Sequence, residues 1–219
     1  DADAGLSAAR GRVARFAMLR SGDRGSVKIE LQRHPMREYS DPDPARRVLD
    51  HIRDYSPALY SVHRRELLID ALRRTAAATR NVIFFQYLSS CITACQGRIE
   101  CLDALYYVRQ NHSKSWAARL HRDPEHWPLL IASPHYSQYY GEFRAALLDQ
   151  LGAAGDAATA LGEAIDDAYV AMMRRSLCNI GQPNPREDAF FARVSDRNAP
   201  DGAEVASMVS FCMGYPETY

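Results

Sequence analysis

The run Asn81-Val-Ile-Phe-Phe-Gln-Tyr-Leu-Ser-Ser-Cys-Ile-Thr-Ala-Cys-Gln-Gly97 holds no charged residue, although 25% of the chain is charged. On a helical wheel, Val82 aside, its apolar residues Ile83, Phe84, Phe85, Tyr87, Leu88, Cys91, Ile92, Ala94 and Cys95 spread over roughly 200°. The remaining arc of about 120° carries Gln86, Ser89, Ser90, Thr93 and Gln96, polar but not ionisable. Asn81 suits the cap of the first turn, and Gly97 suits a left-handed residue after the last. Such a helix belongs inside a bundle or against a partner subunit, and it is too short and too polar to cross a membrane.

Working outward, Asp43-Pro44 reads as cap and first-turn proline of a helix over 44–55, with Val48, Leu49, Ile52 and Tyr55 inward. Ser56-Pro57 repeats that signal for a helix over 57–78, and a break near Thr79–Asn81 separates it from the uncharged run. Toward the N-terminus, Leu6, Ala9, Val13, Phe16 and Ala17 mark an amphipathic helix over 6–20. Residues 26–32 alternate strictly, and theirs is the only strand pattern read here. A lone strand needs a partner chain, or else lies as an extended arm across the bundle. After Gly97, Ile99, Leu102, Leu105, Tyr106 and Val108 suggest another helix over 98–110. Ser133-Pro134 opens a helix ending at Gly152, Asp156 caps one running to Ile180, and two short helices follow. The expected fold is an all-α, irregular multi-helix bundle with one extended N-terminal segment or strand. Residues 1–219 read as a single helical domain excised from a longer protein, with an N-terminal helix and extended arm over 1–44 and a helical core over 45–219.

A chain of 219 residues, 47% hydrophobic, is ordinary for a soluble globular protein with one sizeable core. Net charge is zero but unevenly laid out: residues 1–122 carry +8 and residues 123–219 carry −8. Mutual neutralisation is the simpler reading; an anionic partner such as nucleic acid is the alternative. An odd set of five cysteines without repeated spacing points to reduced thiols in an intracellular compartment, cytoplasm or nucleus.

Three groups of residues could carry chemistry. His121, His126 and His135, with Asp123 and Glu125, could ligate a metal, but without the spacing of a bundle metal site; surface and capping roles fit them better. Cys101, near Arg98 and Gly97, is the one candidate nucleophile, whereas Cys91 and Cys95 sit on the apolar arc as inert small hydrophobes. The aromatic cluster His135 to Phe143, with Glu142, reads as a half-buried face or interface before it reads as a pocket. Phosphate loops, nucleophile elbows, zinc ribbons and dinucleotide fingerprints are absent from the sequence. No catalytic residue and no cofactor is therefore assigned.

The leading expectation is a non-enzymatic helical interaction or regulatory domain that self-associates and meets another protein, with no membrane partner. Its contact residues would be Gln86, Ser89, Ser90 and Thr93 of the uncharged arc, with Val27, Ile29 and Leu31 of the strand. A nucleic-acid-binding domain using Arg10, Arg12, Arg15 and Arg20 is the second reading, although these arginines do not gather on one helical face. A helical enzyme with its site between His121 and Glu142 is the third.

Overall fold

The computed structural model describes residues 5–21, 26–32, 37–111, 131, 133–178, 189–190, 192–193, 195–196 and 198–213. Along the chain run strands β1 (Leu6–Ser21) and β2 (Ser26–Gln32), helix α1 (Pro44–Arg53) and the short strand β3 (Val62–His63). Helices α2 (Arg65–Ala78) and α3 (Val82–Gln96), strand β4 (Arg98–Asn111), and helices α4 (Tyr136–Gln150), α5 (Gly155–Cys178) and α6 (Pro200–Met213) follow.

Two compact units divide the chain. The first joins residues 1–10, 37–101 and 123–181, and the second joins residues 11–36, 102–122 and 182–219.

The first unit is built around α3. Asn81 caps it, the side-chain oxygen accepting from the N–H groups of Ile83 and Phe84 at 3.0 and 3.1 Å. Its core side chains Phe84, Leu88, Cys91 and Ile92 are buried against α1, α2 and α4. Each large apolar side chain enclosed in this way contributes about 1.5–3 kcal/mol relative to exposure. The far end of α3 is closed by an arginine from α1. Arg47, itself buried, donates from Nε to the Ala94 carbonyl at 2.7 Å and from Nη2 to the Cys95 carbonyl at 2.9 Å. Its remaining nitrogen, Nη1, reaches the carbonyls of Asp41 and Pro42. Terminal carbonyls that no helical N–H can reach are thus satisfied by a side chain 47 residues away in sequence.

Asp43 caps α1 as its sequence implies, accepting from the Ala45 N–H at 3.0 Å with Pro44 in the first turn. The break at Thr79–Asn81 is also present. Gly152 stands past the end of α4 at φ +64, a left-handed position that glycine takes without strain.

The second unit holds the outer part of β1, with β2 beside it antiparallel, from Arg15 opposite Gln32 to Ser21 opposite Ser26. Ala14, Phe16, Phe190 and Val205 form its core, with Leu31, Leu105 and Val108 packed on it.

The expected all-α fold is corrected here: a four-stranded mixed sheet accompanies the six helices among the described residues. Residues 6–20 form strand β1 instead of an amphipathic helix. Ser7, Ala8, Arg10, Gly11, Arg12, Val13, Ala14 and Phe16 are all buried, so both faces of the strand are covered and no polar stripe is needed. Arginines at 10, 12 and 15 break the apolar alternation and leave a chance 3.6-residue pattern. Residues 98–110, also expected helical, lie in β4. Their aromatic and β-branched run Leu105-Tyr-Tyr-Val108 favours an extended chain, and pairing with β1 overrides the i,i+3 apolar spacing. Gly11 lets the two strands approach, since a Cβ there would stand 2.6 Å from the Ala104 carbonyl oxygen. Gly97 is extended at φ 174, not left-handed, and what it supplies is room: a Cβ would lie 2.7 Å from the Gly5 carbonyl oxygen. Strand β2, expected to lack a partner in its own chain, pairs with β1. The helix expected from Pro57 starts only at Arg65: the carbonyls of Ser56 and Pro57 accept from Arg10, and Val62–His63 pair with β1 as β3.

Candidate functional site

The unusual chemistry of the first unit lies where Arg10 of β1 meets the last turn of α1. Burial there is complete enough to exclude bulk water. Arg10 is 2% exposed. Its Nη1 donates to the carbonyls of Ser56 and Pro57 at 3.2 and 2.9 Å, and its Nη2 to the carbonyl of Arg37 at 2.5 Å. Among the described residues no carboxylate pairs with it, and its Nε is buried without a partner. Desolvation lowers the guanidinium's pKa from its ordinary value, with smaller opposing effects from Tyr39 and Cys101.

His51 lies beside it, fully buried, with neither ring nitrogen hydrogen-bonded. The imidazole is held by ring contacts, edge-on to Tyr39 at 4.6 Å and to Tyr55 at 5.4 Å between centroids. Burial first, and then the positive charge of Arg10, push its pKa down to about 3. Tyr55 stacks on Tyr87 at 3.8 Å, while its hydroxyl, close to Ser90, finds no partner with hydrogen-bond geometry. The Tyr87 hydroxyl donates to the Met172 sulfur at 3.3 Å, and the Tyr39 hydroxyl to the Asp54 carbonyl at 2.7 Å. Arg175 of α5 closes the outer side through the Asp54 carboxylate and the Arg53 carbonyl.

These environments make most of the cluster chemically quiet. Burial raises the pKa values of Tyr39, Tyr55 and Cys91, keeping them protonated, and holds His51 neutral. A nucleophile or general base working near neutral pH needs the opposite tuning. Cys91, Cys95 and Cys101 are free thiols. Burial also raises Cys95, which matches its reading as a small hydrophobe.

The residues singled out from sequence fall in several places. Ser89, Ser90 and Thr93 are buried inside the first unit. Thr93 Oγ1 donates to the Ser89 carbonyl at 2.9 Å, Ser89 Oγ donates to the Gln86 carbonyl at 3.1 Å, and Ser90 Oγ accepts from the Ala58 N–H at 3.1 Å. Gln86 is half-buried. The uncharged arc is thus occupied within the chain. Val27 and Ile29 lie in β2 opposite Arg20 and Met18, and Leu31 is half-buried against the second core. Of the four arginines weighed for nucleic acid, Arg10 and Arg12 are buried and Arg15 is half-buried, while the side chain of Arg20 lies outside the described residues. Arg12 stands 3.5 Å from Asp103, which Arg193 also grips with two nitrogens. Interior arginines of this kind are not offered to a phosphate backbone.

His121 and His126 lie outside the described residues, and His135 is exposed beside Tyr139. Among the described residues, no group of three His, Cys, Asp or Glu side chains could hold a metal ion. Tyr136, Tyr139, Tyr140 and Phe143 pack on the first core around Phe84 and Tyr169. The Tyr140 hydroxyl donates to Asp166 at 2.5 Å, and Arg144 Nε donates to the same carboxylate oxygen at 3.0 Å. Burial and that carboxylate hold Tyr140 above its ordinary pKa.

His51 and Tyr55 were within reach of sequence reasoning. Val48, His51, Ile52 and Tyr55 stand at i, i+3, i+4 and i+7, which places the histidine on the apolar stripe. Nothing in the sequence marks Tyr39 or the interior course of Arg10. No family model, no curated protein and no solved structure matches this chain.

Proposed function

We propose that the protein is a non-enzymatic interaction domain that self-associates, with the part of β4 from Leu102 onward, in the second unit, as its contact element. One observation carries the reading. On a single face of β4, Leu102 is 55% exposed and Tyr106 41% exposed, with exposed Ala104 between them. A strand with alternate apolar side chains turned to water is a template for pairing with another strand. β4 pairs with β1 along one edge. Among the described residues, the other edge carries only the bridge from Ile99 to Tyr39. Beyond Ile99 no strand among the described residues pairs with that edge, and a second copy would add there.

Three free thiols among the described cysteines support a reducing compartment. No helix among the described residues is long and apolar enough to cross a membrane. Comparing the solution mass of the wild type with that of a Leu102→Glu, Tyr106→Glu variant tests the proposal. A smaller mass for the variant supports it, and equal masses refute it.

A further inference from the structure

We propose that Tyr140 is the site at which this protein yields an electron to a one-electron oxidant, with Asp166 taking up the phenolic proton. The Tyr140 hydroxyl donates to Asp166 Oδ1 at 2.5 Å, a short bond from a phenol to a carboxylate. Arg144 Nε donates to the same oxygen at 3.0 Å and holds it against the phenol. Gly162 gives that guanidinium its place on α5, since a Cβ there would collide with it. All four residues belong to the first unit. Three other phenols end on weaker bases: Tyr39 donates to the Asp54 backbone carbonyl, Tyr87 to the Met172 sulfur, and Tyr136 to the Tyr169 hydroxyl. None of those acceptors takes up a full proton near neutral pH.

One electron leaves the ring for the oxidant, which is reduced by that electron. The phenolic O–H bond breaks, and its proton forms a new O–H bond on Asp166. The products are a neutral tyrosyl radical and a carboxylic acid. Burial, and then Asp166, hold the Tyr140 pKa above its ordinary value, so loss of the proton ahead of the electron is closed off. Loss of the electron alone would leave a cationic ring close to Arg144, and the carboxylate removes that charge by taking the proton. Packing brings neighbouring rings into reach. The Tyr140 ring lies 4.6 Å from Tyr169 and 6.4 Å from Phe84, centroid to centroid, and Tyr136 stacks on it at 6.3 Å. An electron vacancy formed on any of these tyrosines settles on the one whose proton has a base waiting. Tyr140 is half-buried and the Asp166 side chain is 42% exposed, so an oxidant reaches the ring and the proton can pass on to water.

The test is oxidation of the full chain by tris(bipyridine)ruthenium(III) generated in a light flash, with the radical trapped by rapid freezing and read by electron paramagnetic resonance. A tyrosyl signal is expected in the wild type. It should fall to a minor remnant in Tyr140→Phe, which keeps the ring among Phe84, Tyr136 and Tyr169. Tyr60→Phe removes a tyrosine that is 51% exposed and should leave the signal intact. Asp166→Asn keeps an acceptor but no base, and should slow the oxidation at least roughly tenfold. Should Asp166→Asn fail to fold, the Tyr140→Phe and Tyr60→Phe spectra decide. No tyrosyl signal in the wild type, a signal undiminished in Tyr140→Phe, one lost in Tyr60→Phe, or an unchanged rate in folded Asp166→Asn overturns the proposal.

Discussion

Lowering the pH should destabilise this protein through His51 before most carboxylates titrate. In the unfolded chain the imidazole takes a proton near its ordinary value of about 6.5. In the folded chain burial holds its pKa down at about 3. The folded state therefore binds fewer protons than the unfolded state between those values, so stability is complete above pH 6.5 and is lost as pH falls toward 3. The gap of about 3.5 units corresponds to ~5 kcal/mol once both limits are passed, of which ~2 kcal/mol is already lost at pH 5. The neighbouring Arg10 guanidinium opposes protonation, and no carboxylate of the described residues pairs with either group. His51→Phe keeps the ring between Tyr39 and Tyr55 and removes both unpartnered nitrogens. Urea unfolding followed by circular dichroism at pH 8, 6, 5 and 4 gives each protein's stability curve. His63, whose pKa burial also lowers, and Asp103, held low chiefly by Arg193, titrate in both proteins and cancel in the difference. The wild type should lose about 2 kcal/mol more than the variant between pH 8 and pH 5. Parallel curves would show that His51 gains its proton without opening the fold and would refute the reasoning.

Two further substitutions probe the packing. Arg47→Met leaves the Ala94 and Cys95 carbonyls of α3 buried and unpaired, and should cost about 2–4 kcal/mol, read as a lower urea midpoint. An unchanged midpoint would mean that water reaches those carbonyls. Gly11→Ala forces a methyl group to within 2.6 Å of the Ala104 carbonyl oxygen and should cost roughly 1–3 kcal/mol. Gly141→Ala, in α4 with nothing within 4 Å of the added methyl group, should instead stabilise by about 0.5–1 kcal/mol. A neutral or stabilising effect at Gly11 would contradict the close approach of β1 to Ala104 of β4.

Local signals were legible wherever their partners are close in sequence. Asp43 and Asn81 cap their own helices, and Gly152 ends α4 in the conformation that only glycine adopts freely. Long-range partners hid the rest. The strand identity of residues 6–20 depends on β2, β3 and β4, and Arg10 at its centre is tolerated because carbonyls of residues 37, 56 and 57 meet it. Without those carbonyls in view, an arginine reads as a solvent position and the strand's alternation disappears. The serine–threonine arc of α3 misled for a related reason. Its hydroxyls bond to carbonyls one turn back or to Ala58, so a polar stripe that looks ready for a partner is already satisfied in the interior. For β4, aromatic and β-branched content was the better guide, and helical spacing of its apolar residues was the weaker one.

The solution mass of the full chain across micromolar concentrations, by sedimentation equilibrium, bears most directly on the proposed role. The expected mass climbs with concentration to a multiple of 24.6 kDa and returns toward 24.6 kDa in the Leu102→Glu, Tyr106→Glu variant. A wild-type mass of 24.6 kDa at every concentration would contradict self-association through β4.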